Sequence, residues 1–154
     1  MAKVFNFKIA IFDLDDTLWN GARLFEDTKL ILSTLRSSGV KLYIASFHLN
    51  AIECCKQLQI DHYFEEILYG RNHSKLDMLK YIIKKNPGVK QREMVYFDDN
   101  IANLTNVRLE TNIHTIHVAD TGIRWEDVAN GRIATVNMLN GSRGIVDYAD
   151  VLSV

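Results

Sequence analysis

The chain has 154 residues, 47% hydrophobic and 24% charged, with a formal net charge of −1. That length and apolar content suit a single globular domain over residues 1–154 with its own core. The near-neutral charge gives no bulk attraction to nucleic acid or to anionic lipid.

No basic N-terminal run leads into a long apolar stretch, so neither a signal peptide nor a membrane span is expected. The only cysteines, Cys54 and Cys55, are sequence neighbours in a helical-looking stretch. Side chains so placed point apart, which predicts packing rather than a disulfide framework and suits a reducing, cytoplasmic setting.

In chain order, "KIAIFD" from Lys8 reads as a strand whose unbroken apolar run suits a sheet covered on both faces. "EDTKLILSTLRSSG" places Leu30, Ile31, Leu35 and Thr34 at helical spacing and closes on Gly39. "VKLYIAS" (Val40 to Ser46) is a second strand, and "NAIECCKQLQI" a second helix with Asn50 as N-cap. "FEEILYG" is a short third strand. "SKLDMLKYIIKKNPG" is predicted as a helix with Leu76, Leu79, Ile82 and Ile83 on one face, stopped by Pro87-Gly88. "MVYFDD" is a fourth strand, followed by a helix over Ile101 to Leu109, and "IHTIHV" a fifth. "RWEDVANGRIATVNML" reads as a helix interrupted at Gly131, and the tail beyond Asn140 has no clear pattern.

Strands alternating with helices at short intervals predict an α/β domain with a parallel sheet, which places working residues just beyond the carboxyl ends of its strands. Four polar clusters converge there: Asp13, Asp15, Asp16 and Thr17 after the first strand, Ser46 at the end of the second, Lys75 at the start of the helix after the third, and Asp98-Asp99 at the end of the fourth.

Without a cation, carboxylates crowded in this way raise one another's pKa values. Magnesium answers that charge, since it takes oxygen ligands and leaves room for a substrate phosphate. No cysteine or histidine sits at these strand ends, which argues against zinc. A carboxylate beside such an ion can attack phosphorus, while a second acid protonates the leaving oxygen and later activates water. A hydroxyl and a lysine can hold the equatorial phosphoryl oxygens.

"FDLDDTLW" resembles the first motif of the haloacid dehalogenase superfamily, Asp-x-Asp-x-Thr after an apolar strand; Ser46 resembles its second motif, Lys75 its third and "YFDDN" its fourth. Within the superfamily the chain is most similar to the magnesium-dependent phosphatase group, through Trp19, "IAS", "HSK", "YFDDNIAN" and "HTIHVADTGIRWEDV". The resemblance implies a three-layer, Rossmann-like haloacid dehalogenase fold around a central parallel sheet of about five strands, without a cap domain. It implies Asp13 as nucleophile and magnesium ligand, and Asp15 as general acid/base that also gives its backbone carbonyl to the metal. Thr17 would orient the first loop, and Ser46 and Lys75 would bind the phosphoryl group. Asp99 aligns with the direct metal ligand of the fourth motif, with Asp98 and Asn103 as its supporting shell.

The group's usual Arg-Thr pair after the second-motif serine is replaced here by Phe47 and His48. These two, with Trp19, Phe25 and Asn103, are candidate substrate contacts. Neither the segment after the first motif nor that between the second and third has room for a cap, so an open site is expected. That suits a phosphomonoester on a small molecule or a phosphoprotein. A polynucleotide-end phosphatase is a second reading, disfavoured by the lack of a basic stripe. A non-catalytic phosphate-binding or regulatory module is a third.

Overall fold

Strands and helices alternate in the order β1 (Ile9–Phe12), α1 (Thr28–Ser37), β2 (Lys41–Ser46), α2 (Ala51–Gln57), β3 (Glu66–Tyr69), α3 (Lys75–Lys85), β4 (Met94–Asp98), α4 (Ile101–Glu110), β5 (His114–His117) and α5 (Trp125–Leu139). They are seen in a computed structural model that describes residues 4–139. The strands form one parallel five-stranded sheet in the order β3-β2-β1-β4-β5.

Alternate residues of the three central strands point to opposite faces. Ala10, Phe12, Leu42, Ile44, Val95 and Phe97 meet Ile31, Leu32 and Leu35 of α1, Cys54 and Cys55 of α2, and Val128 of α5. On the other face Ile9, Ile11, Tyr43, Ala45, Met94 and Tyr96 meet Met78, Leu79 and Ile82 of α3 and Leu104 and Val107 of α4. The chain steps one way across the sheet with α1 and α2 on the first face, then crosses back with α3 and α4 on the second. Right-handed crossovers require this layering when the direction of travel reverses. The reversal puts β1 and β4 side by side at the switch point, where such sheets bind ligands. Phe12 and Phe97 stack across that pair with ring centroids 5.0 Å apart.

The predicted elements are all present, with differences in detail. On α1 the buried residues are Thr28, Ile31, Leu32 and Leu35, whereas Leu30 is exposed, because the 3.6-residue period carries the stripe through Leu32 instead. On α3 Met78 is buried beside Leu79 and Ile82, while Leu76 and Ile83 lie only partly covered at the margin. That helix is ended by Asn86, ahead of Pro87-Gly88: its side-chain amide donates to the Ile82 carbonyl and to the Tyr43 hydroxyl. Asn50 stands at the N-cap position of α2, but its side chain makes no capping hydrogen bond.

The break expected at Gly131 does not occur. The helix α5 runs through it, because a Cβ there would lie 3.1 Å from Val95 Cγ1 and 3.5 Å from Phe97 Cζ. The glycine lets the helix axis approach the sheet. Cys54 and Cys55 are free thiols, both buried. The tail beyond Asn140 lies outside the described residues. Among those residues no helix is long and apolar enough to cross a membrane.

Candidate active site

The β1–β4 ladder continues one residue past β1, where the Asp13 N–H donates to the Phe97 carbonyl at 3.0 Å. That bond holds Asp13 beside Asp98, the last residue of β4. Between them comes Lys75, the first residue of α3. Its place is set by a reciprocal cap: Ser74 Oγ accepts from the Asp77 N–H at 3.0 Å, and the Ser74 N–H donates to Asp77 Oδ2 at 3.3 Å. Lys75 Nζ donates to Asp13 Oδ1 at 2.8 Å and to Asp98 Oδ2 at 3.2 Å. All three side chains are buried, Lys75 being 3% exposed.

Burial dominates the electrostatics. It pushes Asp13 up to about 8, against the pull of the Lys75 ammonium and with help from the Asp98 charge. Burial acts on Asp98 as well, but Lys75, the Tyr96 hydroxyl and the Asn100 N–H outweigh it and hold that carboxyl below its ordinary range. Asp99, partly buried against both acids, is raised by desolvation and by Asp98. One firmly ionised carboxylate therefore sits beside two whose negative charge is resisted.

Asp98 is saturated. Its Oδ2 accepts from Lys75, from the Tyr96 hydroxyl and from Asn103 Nδ2 at 3.2 Å, and its Oδ1 from the Asn100 N–H at 2.9 Å. Asn100 also caps α4, accepting from the Asn103 N–H at 3.1 Å. His117 Nε2 donates to the Asp99 carbonyl at 3.0 Å, tying β5 to this corner.

The loop after β1 folds back sharply at Asp16, whose φ of +63° is a left-handed conformation that aspartate tolerates. The Asp16 N–H donates to the Trp19 carbonyl at 2.8 Å, closing the turn. Inside it Thr17 is buried and donates to Asp13 Oδ2 at 3.3 Å. The β5–α5 connection braces the loop from outside, with the Ile123 N–H donating to the Thr17 carbonyl at 2.9 Å. Gly122, at φ +81°, leaves room there for the Phe25 ring, which fills the place a Cβ would take. Phe25 thus packs on the brace. Asp15 is exposed, and Trp19 Nε1 donates to its Oδ1 at 2.8 Å.

Ser46 ends β2 buried, with its Oγ accepting from the His48 N–H at 2.9 Å. The His48 ring is held by its Nδ1, which accepts from the Asn50 N–H at 3.0 Å, and its centroid lies 6.2 Å from that of Trp19. Phe47 stands half out of the surface with its ring centroid 5.1 Å from Lys75 Nζ.

The strand ends thus gather Asp13, Thr17, Lys75, Asp98 and Asn103 into one hydrogen-bonded cluster, with the Asp99 carboxylate beside it. Ser46 lies on the neighbouring strand end, and Trp19, Phe47 and His48 line the exposed side. Asp15 stays outside the carboxylate cluster. Two contributors went unread in the sequence, Tyr96 and Asn100. For Tyr96 the signal was its position two residues before Asp98, which puts both on one face of β4.

Asp13, Asp98 and Asp99 each present a carboxylate oxygen within 4.8 Å of the others. An all-oxygen set of this kind, with Asp13 and Asp99 reluctant to ionise alone, fits a hard divalent cation and not a thiophilic one.

Residues 20–135 match the family described as Acid Phosphatase, a span that holds Ser46, Lys75, Asp98 and Asp99 and begins just after Trp19. No curated protein matches the chain by sequence. Among solved structures, a hydrolase of Streptococcus pneumoniae described as a haloacid dehalogenase-like family protein superposes with a TM-score of 0.66 at 15% identity, over 82% of this chain and 91% of that one. The N-terminal part of a Bacteroides fragilis protein containing a phosphatase domain, complexed with Mg, gives 0.62 at 17% identity over 80% of this chain and 40% of that one. The 3-deoxy-D-manno-octulosonate 8-phosphate phosphatase of Moraxella catarrhalis, in complex with magnesium ion, phosphate ion and the sugar, gives 0.57 at 24% identity over 78% of this chain and 74% of that one. At these identities the likeness is one of fold, and it agrees with the haloacid dehalogenase resemblance carried by the four motifs.

Proposed function

The chain belongs to the acid phosphatase family, and from that premise we propose that it is a magnesium-dependent phosphatase, hydrolysing phosphomonoesters through an aspartyl-phosphate at an open, capless site. The observation that carries the proposal is the buried contact of Lys75 with both Asp13 and Asp98 at the β1–β4 switch point. The narrower likeness to the magnesium-dependent phosphatase group is part of the same proposal.

In this reading Asp13 Oδ attacks phosphorus as the bond to the leaving oxygen breaks. Asp15, on the exposed side, gives its proton to that oxygen and later takes one from the water that cleaves the aspartyl-phosphate. Thr17, donating to Asp13 Oδ2, keeps the nucleophile from turning away. Lys75 is already 2.8 Å from Asp13 and offsets charge on the phosphoryl oxygens. Ser46 accepts the His48 N–H, so its own hydroxyl proton is free to donate to a phosphoryl oxygen. Asp13, Asp99 and the Asp15 carbonyl would hold magnesium, with Asp98 as the neighbour that sets their charge. Bound there, the ion neutralises the acids and polarises the phosphoryl group.

Residues 13–27 and 47–74 are filled by turns, α2 and β3, which supports an uncapped mouth lined by Trp19, Phe47 and His48. A substrate of either kind, small phosphate ester or phosphoprotein, suits such a mouth, and the buried free thiols suit a reducing cytoplasm.

Hydrolysis of an aryl phosphate by wild-type and Asp13→Asn protein, with magnesium or with EDTA, tests the proposal. Turnover that requires both Asp13 and magnesium is expected, with the Asp13→Asn variant folded but slower by at least about a thousandfold. Undiminished activity in either arm refutes the assignment.

A further inference from the structure

The Trp19 side chain does something that substrate contact does not require. Its indole N–H points back along its own loop to Asp15 Oδ1 at 2.8 Å, across four residues of sequence. The backbone is built for this return. Asp15 and Trp19 pair as an isolated bridge, Trp19 pairs in turn with Leu24, and the Asp16 N–H closes on the Trp19 carbonyl. The indole is anchored, lying partly buried against the α1–α2 core, whereas Asp15 is exposed. An exposed carboxylate left alone samples several rotamers. Here one of its oxygens is fixed by a rigid donor, while Oδ2 takes no hydrogen bond among the described residues.

We propose that Trp19 is a positioning residue for the leaving-group acid: its indole N–H holds Asp15 Oδ1 so that Oδ2 carries the proton delivered to the departing oxygen. The inference rests on the phosphatase reading above and names a role within it. As the Asp13–phosphorus bond forms and the phosphorus–oxygen ester bond breaks, the Oδ2 proton passes to the leaving oxygen, giving the free alcohol. The carboxylate left behind keeps the indole N–H on Oδ1. In the second half-reaction the same Oδ2 takes a proton from water as the water oxygen bonds to phosphorus and the Asp13–phosphorus bond breaks, which releases inorganic phosphate and returns the starting state.

A residue that only shapes the mouth or props the fold slows all esters alike. One that positions the acid slows those esters whose leaving group needs a proton. The test is therefore kcat/KM of wild-type and Trp19→Phe protein toward an alkyl phosphate and toward 2,4-dinitrophenyl phosphate, whose phenolate departs unprotonated. Trp19→Phe is expected to lose about tenfold on the alkyl ester and less than about twofold on the dinitrophenyl ester, with KM little changed. Trp19→His, which restores a ring N–H, is expected to recover part of the loss. In an Asp15→Ala background the Trp19→Phe substitution should have no further effect.

Equal losses on both esters, or no loss on either, overturn the positioning role while leaving the phosphatase reading intact. Silence of the wild-type protein toward both esters overturns that reading and this inference with it. A second measurement keeps the matter decidable if Trp19→Phe does not fold. The chain has two tryptophans, Trp19 and Trp125, hence two indole N–H resonances. Asp15→Ala should shift that of Trp19 and leave that of Trp125 in place. An unmoved Trp19 resonance means that the hydrogen bond is absent in solution and refutes the inference.

Discussion

A lysine ammonium with 3% of its surface exposed persists only where its charge is answered. Lys75 answers, and is answered by, Asp13 and Asp98, and so links α3 to the ends of β1 and β4. Lys75→Met keeps the length and removes the charge, leaving two buried acids facing each other. The expected cost is about 3 kcal/mol, at the lower end for a broken buried pair because Asp13 already tends to hold a proton. Urea unfolding of the metal-free protein measures it, and a change under about 1 kcal/mol would mean that the pair does not stabilise the fold. Asp13, Ser46 and Asp98 were legible because strand-end polarity is written in the sequence, and Lys75 because it opens the helix after β3. The saturation of Asp98 was not, since Tyr96 sits in an apolar run and reads as core until its hydroxyl is seen to reach the carboxylate.

At the scale of elements, β5 carries a titratable group where burial works against charge. Burial lowers the His114 pKa below its ordinary 6.5, although the bond of Nε2 to the Arg92 carbonyl at 3.0 Å opposes this. The folded protein therefore binds this proton less readily than the unfolded chain. Its contribution to stability is present above the unfolded value and is lost as pH falls through the folded one. The urea midpoint should fall between about pH 7 and about pH 5, and His114→Gln should flatten that slope while keeping a donor for the carbonyl. Identical slopes would exclude His114 as its source. The elements themselves were readable from periodicity and punctuation. Two of their errors come from the neighbouring layer: Gly131 reads as a break until Val95 and Phe97 are seen beneath it, and Pro87-Gly88 reads as the stop of α3 until Asn86 is seen to reach Tyr43 and the Ile82 carbonyl.

For the molecule as a whole, alternation of strand and helix was enough to foresee a parallel sheet with its site at one edge, but strand order was not in the sequence. It follows from which helices cover which face, and that is decided by packing. With Asp13, Asp98 and Asp99 gathered at the central pair of strands, a bound divalent ion should stabilise the entire domain. Magnesium at about a hundredfold over its dissociation constant is expected to raise the unfolding free energy by about 2.7 kcal/mol over the EDTA-treated protein, seen as a higher melting temperature. An unchanged melting temperature would argue against the carboxylate site. The doubly wound order has a further consequence for assembly. Asp13 and Lys75 are 62 positions apart and meet beside Asp98, at the end of the β4 strand that pairs with β1. Both of those strands lie inside the sheet, with β2 and β5 on their outer sides. The cluster thus draws on β1, β4 and the start of α3, segments far apart in the chain. Assembly of this cluster is therefore expected to be coupled to cooperative folding, gained and lost with the sheet as one event.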